Sequence, residues 1–177
     1  MPEFTPPFRL AGALLGILVS LAAQAQSARL RIVALGASNT AGWGVAAAEA
    51  YPAQLEALLA AKGMPATVLN AGIPGDTTGG MLARLEREVA PGTDLVILQP
   101  GTNDERAGSG AERAGNIAEI ERRLAARGTK LLIVENSMLA ELPPSELRED
   151  GIHFTPQGYA ILAQRVLPLL LEALPGR

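Results

Sequence analysis

Short apolar runs alternate with stretches of helical periodicity along most of this chain. Leu30 to Leu35 reads as a strand, stopped by Gly36. Leu55, Leu58 and Leu59 follow Pro52 at helical spacing and predict a helix, which Lys62-Gly63 closes with a cation and then a glycine. Thr67 to Leu69 forms a second short strand, followed by a glycine-rich stretch from Asn70 to Gly80. Met81, Leu82, Leu85 and Val89 share one face of the next helix, which Pro91-Gly92 ends. Asp94 to Leu98 is a continuous apolar run of the kind buried on both faces of a parallel sheet. A helix carrying Ile117, Ile120 and Leu124 runs to Gly128, and Lys130 to Val134 forms a fourth strand. The last helix opens at Thr155-Pro156, a cap followed by proline in the first turn, and carries Leu162, Val166, Leu169 and Leu170. Strands alternating with helices predict an α/β fold with a mainly parallel sheet covered on both faces.

The first residues follow a different pattern. Leu10 to Ala22 is uninterrupted by charge, Arg9 precedes it, and Ala23-Gln24-Ala25 supplies small residues in an A-x-A arrangement. A bilayer-spanning helix needs about 20 apolar residues, so the run suits a cleaved signal peptide over residues 1–25 better than an anchor. Residues 26–177 then form one domain, with no stable membrane anchor after cleavage and a periplasmic or secreted location.

Composition narrows the functional classes. The hydrophobic fraction of 48% excludes a disordered chain, and a net charge of −3 argues against a nucleic-acid binder that neutralises phosphates. Without cysteine there are no disulfides and no thiol chemistry; one histidine leaves no scope for a metal site built from imidazoles. No metal or organic cofactor is implied.

In such sheets ligands bind beyond the carboxyl ends of the strands, so the residues following each strand carry the information. Those are Gly36-Ala37-Ser38-Asn39-Thr40, then Asn70 through Thr77, then Gln99-Pro100-Gly101-Thr102-Asn103-Asp104. Ser38 is a candidate nucleophile in a turn directly after a strand. A serine nucleophile needs a base and a group that orients the base. The one imidazole is His153, and Asp150, three residues earlier, can reach its Nδ1–H and leave Nε2 for Ser38. The backbone N–H of Ser38, the N–H of Gly75 and the side-chain amide of Asn103 are candidate donors to an oxyanion. Taken singly, His153 reads better as a surface histidine and Asp150 as a turn former, while Gly75 also reads as a turn glycine and Asn103 as a cap; it is the conjunction with Ser38 at a strand end that favours the catalytic reading. Asp76 and Thr77 read as helix caps. Trp43 is a candidate for the substrate pocket or for the core, and Glu135 and Asn136 are further rim candidates.

The segments GASNTAG, NAGIPGDTTGG, GTND and DGIHFTPQGY, in this order, resemble the signature blocks of the SGNH (GDSL-type) hydrolases. The second segment with its sequel MLARL, and AYPAQL, are most similar to the subgroup of thioesterase I/protease I/lysophospholipase and related arylesterases. The resemblance implies a flavodoxin-like three-layer α/β/α sandwich and a serine esterase acting on small (thio)ester substrates. It places the nucleophile on Ser38, oxyanion donors on Gly75 and Asn103, and the remaining catalytic pair on Asp150 and His153. Departures are Ala37 where the family usually has Asp, and Phe154 where it often has Pro. Only Glu135 to Glu149 separate the fourth strand from the last block, too few residues for another helix and strand. The expectation is a sheet of four strands, a fifth remaining the alternative, and an open site.

Other readings are weaker. G-x-x-x-x-G-K-[ST], G-x-G-x-x-G and G-x-S-x-G do not fit the first turn, which disfavours P-loop, dinucleotide and α/β-hydrolase folds. An acyltransferase, an O-deacetylase or a non-catalytic binding protein on the same fold remain alternatives.

Overall fold

The computed structural model describes residues 29–135, 137–138 and 142–174. The signal peptide expected over residues 1–25 and the rim candidate Asn136 lie outside the described residues.

Strand β1 (Leu30–Gly36) leads through a short helix α1 (Ser38–Ala41) to helix α2 (Tyr51–Ala61) and strand β2 (Ala66–Gly72). Helices α3 (Thr78–Ala83) and α4 (Leu85–Glu88) precede β3 (Leu95–Gln99); α5 (Asn103–Ala107) and α6 (Arg113–Ala126) precede β4 (Lys130–Ile133). The long helix α7 (Pro156–Ala173) closes the described chain. The four strands pair in the order β2-β1-β3-β4, all in parallel.

Alternation along the strands divides the core between two faces. Leu30, Ile32 and Ala34 of β1, with Leu95 and Ile97 of β3, face one layer, packed on Tyr51, Leu55 and Leu59 of α2 and Leu162, Val166 and Leu170 of α7. Val33, Leu35, Val96 and Leu98 face the other, against Met81 and Leu85 of α3 and α4 and Ile120 and Leu124 of α6. Each such side chain stabilises the fold by roughly 1.5–3 kcal/mol relative to exposure. The three-layer α/β/α architecture and the sheet of four parallel strands are thus as expected.

Three boundaries differ from the sequence pattern. β2 continues past Leu69 to Gly72, because Asn70, Ala71 and Gly72 stay in register with Ala34, Leu35 and Gly36. The helix expected over Met81–Val89 is two, broken at Arg84, whose backbone leaves helical geometry (φ −101°, ψ 3°) while its buried guanidinium reaches Asp76 and the Gly36 carbonyl. Thr77 caps α3 by accepting from the Gly80 N–H, whereas Asp76 is no cap: its carboxylate takes the Arg84 guanidinium at 2.8 Å.

Candidate active site

The chain passes from β1 to β2 on one side and then crosses to β3 on the other, so the topological switch lies between β1 and β3. Ser38 follows the first of these strands and Asn103 the second. A cavity of about 40 Å³ opens there, lined by Ser38, Asn39, Gln99, Gly101, Asn103 and Ile152 among others. A larger hollow of about 600 Å³ lies at the opposite end of the sheet, beside Leu30, Asp94 and Lys130, but neither serine nor histidine lines it.

The position of Ser38 is fixed by what lies beneath α1. The helix turn sits directly on the ends of β1 and β2. A Cβ on Gly36 would strike the Thr40 hydroxyl and come within 2.9 Å of the Gln99 carbonyl, and one on Gly72 would enter the backbone of Ala41. The buried Thr40 hydroxyl donates to Gln99 Oε1 at 2.6 Å, tying α1 to the end of β3. Arg84 donates to the Gly36 carbonyl at 3.0 Å while paired with Asp76, linking the turn that carries Ser38 to the loop after β2.

His153 stands on a separate loop with its own frame. Leu147 and Phe154 form an antiparallel bridge, and the Arg148 N–H donates to the His153 carbonyl at 2.8 Å. Between them Gly151 takes φ +66°, a turn conformation that favours glycine. Asp150 Oδ1 accepts from the N–H groups of Ile152 and His153, and Oδ2 lies 2.7 Å from His153 Nδ1. These contacts hold the Asp150 carboxyl well below the usual carboxylate range: the His153 N–H contributes most, then the imidazole, then the Ile152 N–H. With Nδ1–H donated to a carboxylate, the neutral ring presents Nε2 as its basic atom.

Asn39 joins the two loops. Its amide donates to the Ile152 carbonyl at 3.3 Å, and its Oδ1 accepts from the Tyr159 hydroxyl of α7 at 3.2 Å. Burial pushes the Tyr159 phenol up to about 12, so it remains a donor at any working pH. No hydrogen bond joins Ser38 to His153 among the described residues.

The oxyanion candidates are partly brought together. Asn103 shares the cavity with Ser38, and one N–H of its amide is committed to the Asp76 carbonyl at 2.8 Å, leaving the other to point elsewhere. Gly75 is not among the cavity-lining residues and connects to it through Asp76 and Asn103. Its φ of +81° requires glycine, although a Cβ there would meet nothing within 4 Å. Trp43 is 52% exposed with its ring 6.1 Å from the His153 ring, which removes the core alternative. Ile73 and Ile152 are likewise exposed large apolar side chains. Glu135 is held at the surface by Arg113 at 3.3 Å and does not line the cavity.

Two residues that sequence reasoning passed over are prominent here. Asn39 is the bridge described above. Asp104 is fully buried and accepts from the Thr78 hydroxyl at 2.6 Å and the Thr78 N–H, so it holds the start of α3 against α5. Its place beside Asn103 in the GTND segment was the available signal.

The Asp150 contacts carry a pH dependence. Above the ordinary aspartate value of 3.8 the carboxylate is ionised in both folded and unfolded chains, and its contribution to stability is complete. That contribution is lost as pH falls through the lower folded-state value. The melting temperatures of the parent and Asp150→Ala are therefore expected to differ at pH 5–7 and to converge below pH 3.8. A gap that stays constant down to strongly acid pH would contradict this.

Comparison with known proteins adds to the geometry. The family model described as "GDSL-like Lipase/Acylhydrolase family" matches residues 34–148, a segment that includes Ser38, Gly75 and Asn103 and ends short of Asp150 and His153. The chain is 31% identical over 172 residues to Esterase TesA of Pseudomonas aeruginosa, covering 94% of this chain and 82% of that one. It is 37% identical over 97 residues to an arylesterase of Vibrio mimicus, covering 54% of this chain and 47% of that one. Among solved structures it is similar to the crystal structure of TesA, with a TM-score of 0.74 and 25% identity over 81% of this chain and 99% of that one.

Proposed function

The chain belongs to the GDSL-like lipase/acylhydrolase family of ester-hydrolysing enzymes, and from that premise we propose that it is a serine esterase working through Ser38, His153 and Asp150. The observation that carries the reading is the 2.7 Å pairing of Asp150 with His153 Nδ1, on a loop that Asn39 ties to the nucleophile turn. Ser38 Oγ bonds to the ester carbonyl carbon while its proton passes to His153 Nε2. The carbonyl π pair moves onto oxygen. Collapse of that intermediate breaks the bond to the leaving alcohol or thiol, which takes the proton from His153, and the acyl group remains on Ser38. Water activated by the same imidazole then releases the carboxylic acid and restores Ser38.

The negative oxygen is held by the N–H groups of Ser38 and Gly75 and the free amide N–H of Asn103, each donor being worth about 10²–10³ in rate. Asp150 keeps the imidazole in the required tautomer and stabilises the imidazolium. Trp43, beside His153 and half exposed, lines the path of substrate. The reading includes export, supported by the leader pattern of residues 1–25. No helix among the described residues is long and apolar enough to cross a membrane.

The test is hydrolysis of a 4-nitrophenyl ester series of increasing acyl length by the parent and Ser38→Ala. Turnover of at least one ester, abolished by the substitution, is expected. Turnover that survives in Ser38→Ala overturns the reading.

A further inference from the structure

Most guanidinium groups of the described chain are engaged. Arg84, Arg87, Arg113, Arg122, Arg123 and Arg127 each pair with a carboxylate. Arg31 and Arg148 donate to backbone carbonyls at 3.0 and 2.9 Å. Arg106 does neither: among the described residues it has no hydrogen-bond or ion-pair partner, and it lines the small cavity that contains Ser38. Its direction follows from local structure. Arg106 lies three residues after Asn103 on α5, and positions i and i+3 share a helix face, so the oxyanion candidate and the guanidinium look toward the same space. Asp104 anchors that helix from its buried side, committed to Thr78 and unable to neutralise Arg106. Glu105, the next carboxylate along the chain, is one residue away and so turned to a different face.

We propose that Arg106 recognises an anionic group, carboxylate or phosphate, carried by the ester substrate close to the scissile bond. The inference rests on the esterase reading and deepens it by naming the substrate class. A planar guanidinium can grip either anion through two parallel hydrogen bonds. With a net charge of −3 the chain as a whole does not draw anions in, so selection falls to this local cation. Ala37 and Gly101 also line the cavity and contribute little side-chain bulk to it.

The experiment compares matched esters: 4-nitrophenyl butyrate and mono-4-nitrophenyl succinate differ in a carboxylate on the acyl side. With phenyl acetate as the neutral reference, 4-acetoxybenzoate and 4-acetoxyphenyl phosphate place a carboxylate or a phosphate on the leaving group. Ratios of kcat/KM, each corrected by the ester's rate with hydroxide, are measured for the parent, Arg106→Gln and Arg106→Glu. At least one anionic ester is expected to be preferred by about fivefold or more, the effect of one well-formed exposed charge pair. The preference should fall to near unity in Arg106→Gln, reverse in Arg106→Glu, and reside in KM. The pair that responds identifies the side and the anion. A Ser38-dependent turnover with no anionic preference, or with ratios unmoved by both substitutions, overturns the inference and leaves the esterase reading standing. Absence of Ser38-dependent turnover across the set overturns both.

Discussion

Ser38→Ala is expected to lower kcat on an activated ester by at least about 10³-fold while moving the melting temperature by no more than about 2 °C. The two halves of that result come from different features of the site. In the proposed mechanism, removing Oγ removes the atom that bonds to carbon and the proton that the imidazole accepts. The residual rate is what the oxyanion donors give to attack by water. Stability is nearly untouched because the hydroxyl has no hydrogen-bond partner among the described residues and Ser38 is only half-buried. Steady-state kinetics and a thermal melt on the same preparation check both halves. A large loss of stability would mean that Ser38 is a structural residue.

The second large effect is expected from a residue that touches no substrate. Gly72→Ala places a methyl group into the backbone N and Cα of Ala41, atoms that cannot rotate aside as a side chain can. Either β2 or α1 must shift. Overpacking of this kind costs about 1–3 kcal/mol, a drop in melting temperature of about 3–10 °C. Because α1 begins at Ser38, the shift also moves the proposed nucleophile, and a displacement near 1 Å costs about 10² in rate. Gly63→Ala is the control. It replaces a glycine at positive φ (72°), which Gly72 is not, but a Cβ there meets nothing within 4 Å and lies at the end of α2, away from the site. That variant should lose some stability and keep its kcat. Equal kcat in Gly72→Ala and the parent would contradict the claim that the contact of α1 with the strand ends positions Ser38.

These two glycines show where the sequence was informative and where it was not. The strand-helix alternation was legible because each apolar run is short and bounded by glycine or proline, and four parallel strands follow from it. The caps at Thr77 and Thr155 were legible because their chemistry is local, a hydroxyl three residues before the N–H it accepts from. The Asp150–His153 contact, three residues apart, was local in the same sense.

What was not legible depends on partners distant in the chain. The extension of β2 to Gly72 is set by its register with β1, which no propensity of Asn70 or Ala71 announces. Arg84 lies within the stretch Met81 to Val89 that the apolar spacing predicts as one helix. In the fold it is buried between Asp76, eight residues back, and the Gly36 carbonyl, and the helix breaks there. Asn39 and Ile152 are separated by 113 positions, and Thr78 and Asp104 by 26. Such contacts arise only once the sheet order is set, because the switch between β1 and β3 gathers these loops at one end.

The proposed chemistry depends on a single hydroxyl that bonds to the substrate carbonyl carbon and a single imidazole that takes its proton. Covalent trapping with a fluorophosphonate, read by intact mass and peptide mapping, tests that most directly. One adduct is expected, on Ser38, absent from Ser38→Ala and formed at least about 10²-fold more slowly in His153→Ala. An adduct on another residue, or labelling of His153→Ala at the parent rate, would contradict it.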